Sequence, residues 1–396
     1  MFGNASPGRL VAITGGDERG SWVHQAFVPD PLPSNSPSLA GRTYRVVADA
    51  RAALAALDST ARQLPEPTLF RHPALRREAQ STSALEGTYA PLARVLEADE
   101  DSPDSQDLRE ILNYVRMAEH GFAWVGEGRP LNSSLVLDLQ RILMVGMPLA
   151  PSSGRVREVQ VVIGQRPGAD PLAPAVEGAR FVPSPPGGQL EADLRAAVEW
   201  MSADHSGEID PVVAAAMAHY QFETLHPFRD GNGRIGRYLI VLQLLHQGVL
   251  SEPTLTVSPW FEARRNAYYD RLLAVSTDGD WDGFVEFFAT ALHSAAELTR
   301  RQMLALSQVR EDLRTMVRAS KLRASTAVAL IDVAVARPTF TVRQAHEALA
   351  VSYHRANALV GQLMQIGVLR VVDPDAYKRR FYAPAVLDVL LAGERS

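Results

Sequence analysis

Apolar positions along this chain recur mostly at three- and four-residue spacing, the period of a helix that buries one face. VVADARAALAALDSTARQL, from about 46 to 64, repeats in this way, and PALRREAQSTSALEG predicts a second helix with Pro73 in its first turn and Gly87 at its end. The period returns in DLREILNYVRMAEHGFAW, LNSSLVLDLQRILM and LEADLRAAVEWMSA. In IDPVVAAAMAHYQFETL, Asp210 is placed to cap a helix and Pro211 to occupy its first position, while RIGRYLIVLQLLHQG continues as another apolar helix ending near Gly248. HPFRDGNG therefore falls in a tight turn joining two helices. FEARRNAYYDRLLAV and DWDGFVEFFATALHSAAELTRRQMLALSQV complete an all-α body.

Three stretches break this rhythm. Residues 1–45, with PDPLPSNSPS, are rich in Pro, Gly and Ser, which favours an irregular arm over a packed element. Between Arg155 and Pro186, VREVQVVIG alternates and is β-branched, while PGADPLAP and FVPSPPGG interrupt any helix, so a short β-hairpin or extended flap is expected. From about 322 the order is helix (RASTAVALIDVAV), short helix (TVRQAHEAL), a longer helix beginning near Ser352, then two short strands (VLRVVD and RRFYAP) around an Asp-Pro-Asp turn. That order resembles a winged helix-turn-helix. The pattern thus divides the chain into an arm at 1–45, a helical region at 46–125, a core at 126–320 and a C-terminal module at 321–396. Acid-rich LEADEDSPDSQD near residue 100 is expected to be a solvated loop.

Length and composition narrow the chemistry. The 396 residues, nearly half of them apolar, suffice for two or three domains. No apolar run approaches the roughly 20 residues that span a bilayer, and the N-terminus lacks a basic region followed by a long apolar stretch, so a cytoplasmic location is expected. Cysteine is absent, which excludes disulfides, thiolate nucleophiles and cysteine metal sites. A net charge of −5 argues against a chain that coats nucleic acid over its whole surface. Lys321 and Lys378 are the two lysines of the sequence, so a Walker-type phosphate loop has no lysine in the first 320 residues. Phosphates bound there must be held by arginine, main-chain N–H groups or a metal.

His226-Pro-Phe-Arg-Asp-Gly-Asn-Gly-Arg-Ile-Gly-Arg237 meets that requirement. Its three glycines and one asparagine concentrate backbone freedom just before a helix, where consecutive N–H groups and the positive end of the helix dipole can cradle an anion. Arg234 and Arg237, three residues apart on the first turn, can both face that anion. Asp230 is suited to Mg²⁺, a hard cation that takes one or two carboxylates and completes its shell with phosphate oxygens. His226 supplies an imidazole, the side chain whose ordinary pKa lies nearest neutrality, where a general base is most effective. Any one of these residues alone reads as structural; together within twelve residues they point to phosphoryl or nucleotidyl transfer with a histidine base.

The same twelve residues match at every defined position the signature of the Fic family, His-x-Phe-x-Asp/Glu-Gly-Asn-Gly-Arg-x-x-Arg, which this chain resembles from its proline-rich arm to about residue 300. YQFETLHPF, FVPSPP and SPWFEARRNAYYDRL belong to the resemblance. It implies an all-α fold with a Fic-type helical core and β-hairpin flap, and transfer of AMP from ATP to a Ser, Thr or Tyr hydroxyl of a protein. Under it, His226 is the catalytic base, Asp230 holds Mg²⁺, Phe228 anchors the loop, Gly231, Asn232, Gly233 and Gly236 belong to the ATP and phosphate site, Arg234 contacts the phosphates and Arg237 reaches the γ-phosphate. The flap lays a target segment across the site by strand addition, which needs backbone pairing more than a given sequence. Thr82-Ser-Ala-Leu-Glu86-Gly87 fits the family's inhibitory pattern, in which Glu86 competes with the γ-phosphate for Arg237. Related members transfer other phosphate-containing groups or remove AMP, and a transcription regulator with a sensory core is a non-enzymatic alternative. Arg343, Arg355, Lys378, Arg379 and Arg380 give the C-terminal module a modest basic character, so DNA joins ATP, a protein substrate and a second copy of the chain among the partners the sequence admits.

Overall fold

The computed structural model describes residues 2–18, 20–64, 66–98, 103–205, 207–320, 322, 325–376 and 378–392. Along the chain it runs β1 (Gly8–Asp17), β2 (Gly20–Pro29), α1 (Gly41–Gln63), α2 (Arg71–Leu85), α3 (Leu92–Glu97), α4 (Gln106–Gly126), α5 (Ser133–Leu143), β3 (Ile163–Gln165), α6 (Ala175–Gly178), β4 (Ala179–Phe181), α7 (Gly188–Ser202), α8 (Pro211–Leu225) and α9 (Asn232–His246). It continues through α10 (Ser258–Glu262), α11 (Arg265–Asp278), α12 (Trp281–Ala319), α13 (Ser325–Ala336), β5 (Phe340–Thr341), α14 (Val342–Leu349), α15 (Tyr353–Gln365), β6 (Arg370–Val371), β7 (Arg380–Tyr382) and α16 (Pro384–Leu391). The fold is mostly helical, as the periodicity predicts. Among the described residues no helix is long and apolar enough to cross a membrane. Residues 99–102 of the acid-rich loop lie outside the described residues.

Two compact units divide the chain: residues 1–53, 113–250 and 260–294 form the first, and 54–112, 251–259 and 295–396 the second. At the centre of the first unit stand α8 and α9, apolar on nearly every face and buried along almost their whole length. Asp210 caps α8 by accepting the Val212 N–H at 2.8 Å, with Pro211 at the first position, as its sequence predicts. Against α9 lies α4, so close at Gly121 that a Cβ there would sit 2.2 Å from the Tyr238 hydroxyl. That hydroxyl donates to the Ala118 carbonyl at 2.9 Å. The expected flap is present: β3 and β4 pair antiparallel, with Ile163 opposite Phe181 and Gln165 opposite Ala179.

The N-terminal stretch departs from expectation. Residues 8–29 are not an irregular arm but a ten-residue-per-strand antiparallel hairpin, in register from Gly8 opposite Pro29 to Asp17 opposite Gly20. Its alternation is hidden by glycine and serine, yet it places Val11, Ile13, Trp22 and Ala26 on one side, where they pack with Val162, Val176, Ala179 and Val182 around the flap. Residues 2–7 and 30–40 run without helix or strand, and the second of these stretches carries Pro31, Pro33 and Pro37.

In the second unit, the C-terminal elements do not stand apart from the region before the core. Arg77 of α2, buried, donates through Nη1 to the Leu390 carbonyl of α16 at 2.9 Å. Arg76 donates to the carbonyls of Val95 and Ala98, and Thr339 donates through Oγ1 to the Leu96 carbonyl at 3.1 Å. Arg310 bridges Asp332 at 2.7 Å and Glu66 at 3.2 Å. The division expected near residue 320 is thus not where the chain separates into units, because buried arginines tie α2 and its neighbours to elements beyond 320. Three strands in the order β5-β7-β6, all antiparallel, complete a small C-terminal sheet with helices. Removing residues 321–396 would take the Leu390 carbonyl from buried Arg77 and the Asp332 carboxylate from buried Arg310, and loss of a partner by a buried charge is costly. The truncated chain is expected to melt several degrees below the full chain in a thermal scan; an unchanged midpoint would show that these contacts carry no stability.

Candidate active site

The turn between α8 and α9 begins at His226, whose backbone is left-handed at φ 50° and ψ 59°. Pro227 follows, and a residue before proline is disfavoured in the right-handed helical region, so α8 has to stop here. Histidine tolerates this conformation better than most side chains. The His226 N–H still reaches the Phe222 carbonyl at 3.1 Å. Phe228 is fully buried, its ring 6.4 Å from that of Phe222. Asn232 closes the loop from inside: its Oδ1 accepts the Phe228 N–H and its Nδ2 donates to the Phe228 carbonyl, both at 2.8 Å. Gly231 caps α9 at φ 86°, and a Cβ there would meet Leu143 Cδ2 at 2.8 Å. Helical bonding starts with the Ile235 N–H on the Gly231 carbonyl, at 3.0 Å. The N–H groups of Asn232, Gly233 and Arg234 precede it at the positive end of the helix.

The charged groups of the turn have distinct surroundings. Asp230 lies at the rim with about half of its side chain exposed (47%), its Oδ1 accepting from Arg234 Nη2 at 2.9 Å and from the Gly231 N–H at 2.6 Å. Its Oδ2 is bonded by none of the described residues. No group of three or more His, Asp or Glu side chains converges as a metal cage among the described residues. One rim carboxylate fits Mg²⁺, whose shell is completed by substrate phosphates and water.

Arg237 is wholly buried and takes part in a chain of hydrogen bonds with one proton order. His219 Nδ1 lies 3.1 Å from the Gly236 carbonyl, which can only accept, so Nδ1 carries the hydrogen. Its Nε2, 2.7 Å from the Tyr268 hydroxyl, must then accept. Tyr268 donates to His219 and accepts from the Arg237 guanidinium. Burial pushes the His219 imidazole down to about 3, aided by the Arg237 charge, and pushes the Tyr268 hydroxyl well above its ordinary range, so both stay neutral. Gly236 has a packing role: a Cβ would stand 2.2 Å from Glu223 Oε1 and 3.2 Å from Phe222 Cδ1.

His226 receives its own orientation from the main chain. Its Nδ1 lies 3.3 Å from the Glu223 carbonyl, again an obligate acceptor, so in the neutral ring the lone pair is on Nε2. The His226 carbonyl accepts from Arg157 Nε at 2.8 Å, and the Arg157 N–H donates to the Pro227 carbonyl at 2.9 Å. Burial lowers the Arg157 guanidinium to about 10, still charged at neutral pH.

The structure therefore brings together His226, Asp230, Gly231, Asn232, Gly233, Arg234, Gly236 and Arg237 on one helix–turn–helix. Thr82, Glu86 and Gly87 belong to the second unit: Thr82 is buried in α2, Glu86 is its C-terminal cap residue and Gly87 follows at φ 96°. Arg157, His219, Glu223 and Tyr268 are additions to the sequence-based site. Glu223 and Tyr268 lie in the segments YQFETLHPF and SPWFEARRNAYYDRL, and Arg157 in VREVQ, but no local spacing connects them to the twelve-residue turn.

Two family models match the chain, Fic/DOC family N-terminal over residues 44–123 and Fic/DOC family over 130–244. These two segments of the chain are of the Fic/DOC family. Its Fic segment is similar to a protein named protein adenylyltransferase Fic from Drosophila yakuba, 35% identical over 115 residues, which are 29% of this chain and 22% of that protein. A protein adenylyltransferase named fic-1 from Caenorhabditis elegans is 32% identical over 148 residues, 37% of this chain and 24% of that protein. The matched region thus spans less than a quarter of these curated relatives. In fold, a Fic family protein from Desulfovibrio desulfuricans G20 aligns with a TM-score of 0.55 at 21% identity, covering 88% of this chain and 98% of that one.

The neutral His219 at the heart of the Fic segment has a consequence for acid stability. Its folded pKa of about 3 lies below the ordinary imidazole value of 6.5, so its contribution is complete above 6.5 and is lost as pH falls from 6.5 towards 3. Urea midpoints measured across that window are expected to fall more steeply for the wild type than for His219→Gln, which has no imidazole to protonate; parallel slopes would remove His219 from the titration.

Proposed function

We propose that this protein is a Mg²⁺-dependent protein adenylyltransferase, held in a restrained state by Glu86, that transfers AMP from ATP to a Ser, Thr or Tyr hydroxyl of a protein. The observation that carries the reading is the His226 ring, whose Nδ1–H is committed to the Glu223 carbonyl so that Nε2 is the proton acceptor, one turn from the N–H groups that open α9. His226 Nε2 takes the proton of the target hydroxyl as its oxygen bonds to the α-phosphorus; the bond to the bridging oxygen breaks and pyrophosphate leaves. The loop N–H groups and Arg234 stabilise charge on the phosphate oxygens, fixed in advance by Asn232 and Phe228. Asp230 holds Mg²⁺, which when bound supplies further positive charge to the phosphates. The β3–β4 hairpin receives the target segment as an added strand.

Restraint follows from competition. Two anions cannot share one guanidinium fork, and Arg237 has already committed part of its hydrogen-bonding capacity to Tyr268. In this reading Glu86 is the rival of the γ-phosphate for what remains, within the Thr82–Gly87 motif. Incubation with α-labelled ATP and Mg²⁺ followed by mass spectrometry tests the whole assignment. Glu86→Gly is expected to raise label incorporation at least about tenfold, the population shift given by about 1.4 kcal/mol. Adding His226→Ala should silence it by about 10²–10⁴-fold, Asp230→Ala should lower activity and metal dependence together, and Arg237→Ala should cancel the gain. A mass shift other than that of AMP, or removal of AMP, would replace the reaction while keeping the site.

For the C-terminal elements, we infer a winged helix-turn-helix that contacts DNA. Ala356, Leu359, Val360 and Leu363 of α15 are buried, and its exposed face carries Tyr353, His354, Arg355, Asn357 and Met364 without a carboxylate. The basic surface is smaller than the sequence suggests, since Arg343 pairs with Glu347 at 2.9 Å and Arg380 turns inward to Thr339. Arg355, Lys378 and Arg379 are left exposed. Binding to duplex DNA should weaken steeply with salt and with Arg355→Ala; salt-independent binding would point to a protein partner.

A further inference from the structure

Arg157 occupies a position that neither the sequence motif nor the proposed chemistry uses. Its side chain is 3% exposed, and every acceptor it meets among the described residues is a main-chain carbonyl. Nε donates to His226 at 2.8 Å, Nη1 to Val159 at 3.0 Å, and Nη2 to Ser184 and, at 3.5 Å, to Leu225. Its own N–H donates to the Pro227 carbonyl at 2.9 Å. A buried charge with no carboxylate partner is expensive, so carbonyl dipoles alone must offset its lost hydration. Geometry explains why arginine suits the place. The carbonyls lie in several directions, which a planar fork with five donors can meet and a single ammonium cannot.

The identity of those carbonyls gives the residue its role. Val159 and Ser184 flank the β3–β4 flap on its two sides in sequence, while Leu225, His226 and Pro227 are the end of α8 and the start of the catalytic turn. One guanidinium is therefore the node where both ends of the flap meet the backbone of His226. It also holds the carbonyl of the residue whose left-handed φ of 50° depends on its surroundings. We propose that Arg157 is a positioning residue that sets the His226 ring and the flap in a common frame, and so fixes the separation between the base and a target hydroxyl carried on the flap. The second half of this statement rests on the adenylyl-transfer reading; the first half does not.

The test uses the full chain with Arg157→Lys and, separately, Arg157→Gln, in the Glu86→Gly background. Both are expected to remain folded by circular dichroism and to lower kcat for label transfer at least about tenfold while KM for ATP stays within about twofold, because misplacement of reacting groups costs turnover rather than nucleotide binding. In ¹⁵N-histidine NMR, with His226→Ala for assignment, the His226 ring should pass from one Nδ1-protonated tautomer to a mixture. Methylguanidinium added to Arg157→Gln should restore part of the turnover. An unchanged kcat, a rise in the KM for ATP without loss of kcat, or a fall in kcat with an unmoved tautomer would each overturn the proposal. Failure of both variants to fold would overturn it too, by making Arg157 a residue of the core alone. If the parent transfers no label, the adenylyl-transfer reading falls, and the His226 tautomer still decides the role of Arg157.

Discussion

A helix buried on every side has to end inside the protein, and the four carbonyls at its last turn then need donors that water cannot supply. The end of α8 meets this constraint with a left-handed histidine, a proline and the guanidinium of Arg157, and the start of α9 meets its counterpart with Gly231 and the side chain of Asn232. Everything chemical in the site is arranged around this repair. The His226 ring is aimed by the same turn that terminates its helix, and the N–H groups that open α9 are brought beside it because the turn is so short.

Electrostatics beneath the turn follow a second logic. Arg234 and Arg237 are equally buried but differently employed: one is bound to a rim carboxylate, the other to a neutral phenol. The phenol that meets Arg237 is held neutral, whereas the carboxylate that meets Arg234 reaches the rim. The His219 ring enforces that neutrality by offering Tyr268 only an acceptor.

Local information made the helical scaffold readable. Asp210, Pro211 and the apolar run to Leu225 specify α8 without help from the rest of the chain, and the glycines and Asn232 mark the turn. The flap is readable too, since Arg155 to Pro186 contains both the alternation and its interruptions. By contrast, the first hairpin escaped notice because its inward positions include Ala26 beside Val11, Ile13 and Trp22, too little contrast to stand out among glycines. Arg157, His219 and Tyr268 act across 69, 17 and 49 positions of sequence, distances at which no spacing rule operates. Arg77 and Arg310 likewise find acceptors 313 and 22 positions away.

The N-terminal hairpin gives the flap a direction. The Phe27 N–H occupies the Val182 carbonyl at 2.9 Å, just past the end of β4, and the Phe27 and Phe181 rings lie 5.7 Å apart. A bare two-stranded ribbon would offer two equivalent borders to any extended peptide, including the ribbon of a neighbouring molecule. Because β2 meets the chain just past one of those borders, the two borders of this ribbon are not equivalent, and in the adenylyl-transfer reading an incoming peptide meets two different edges.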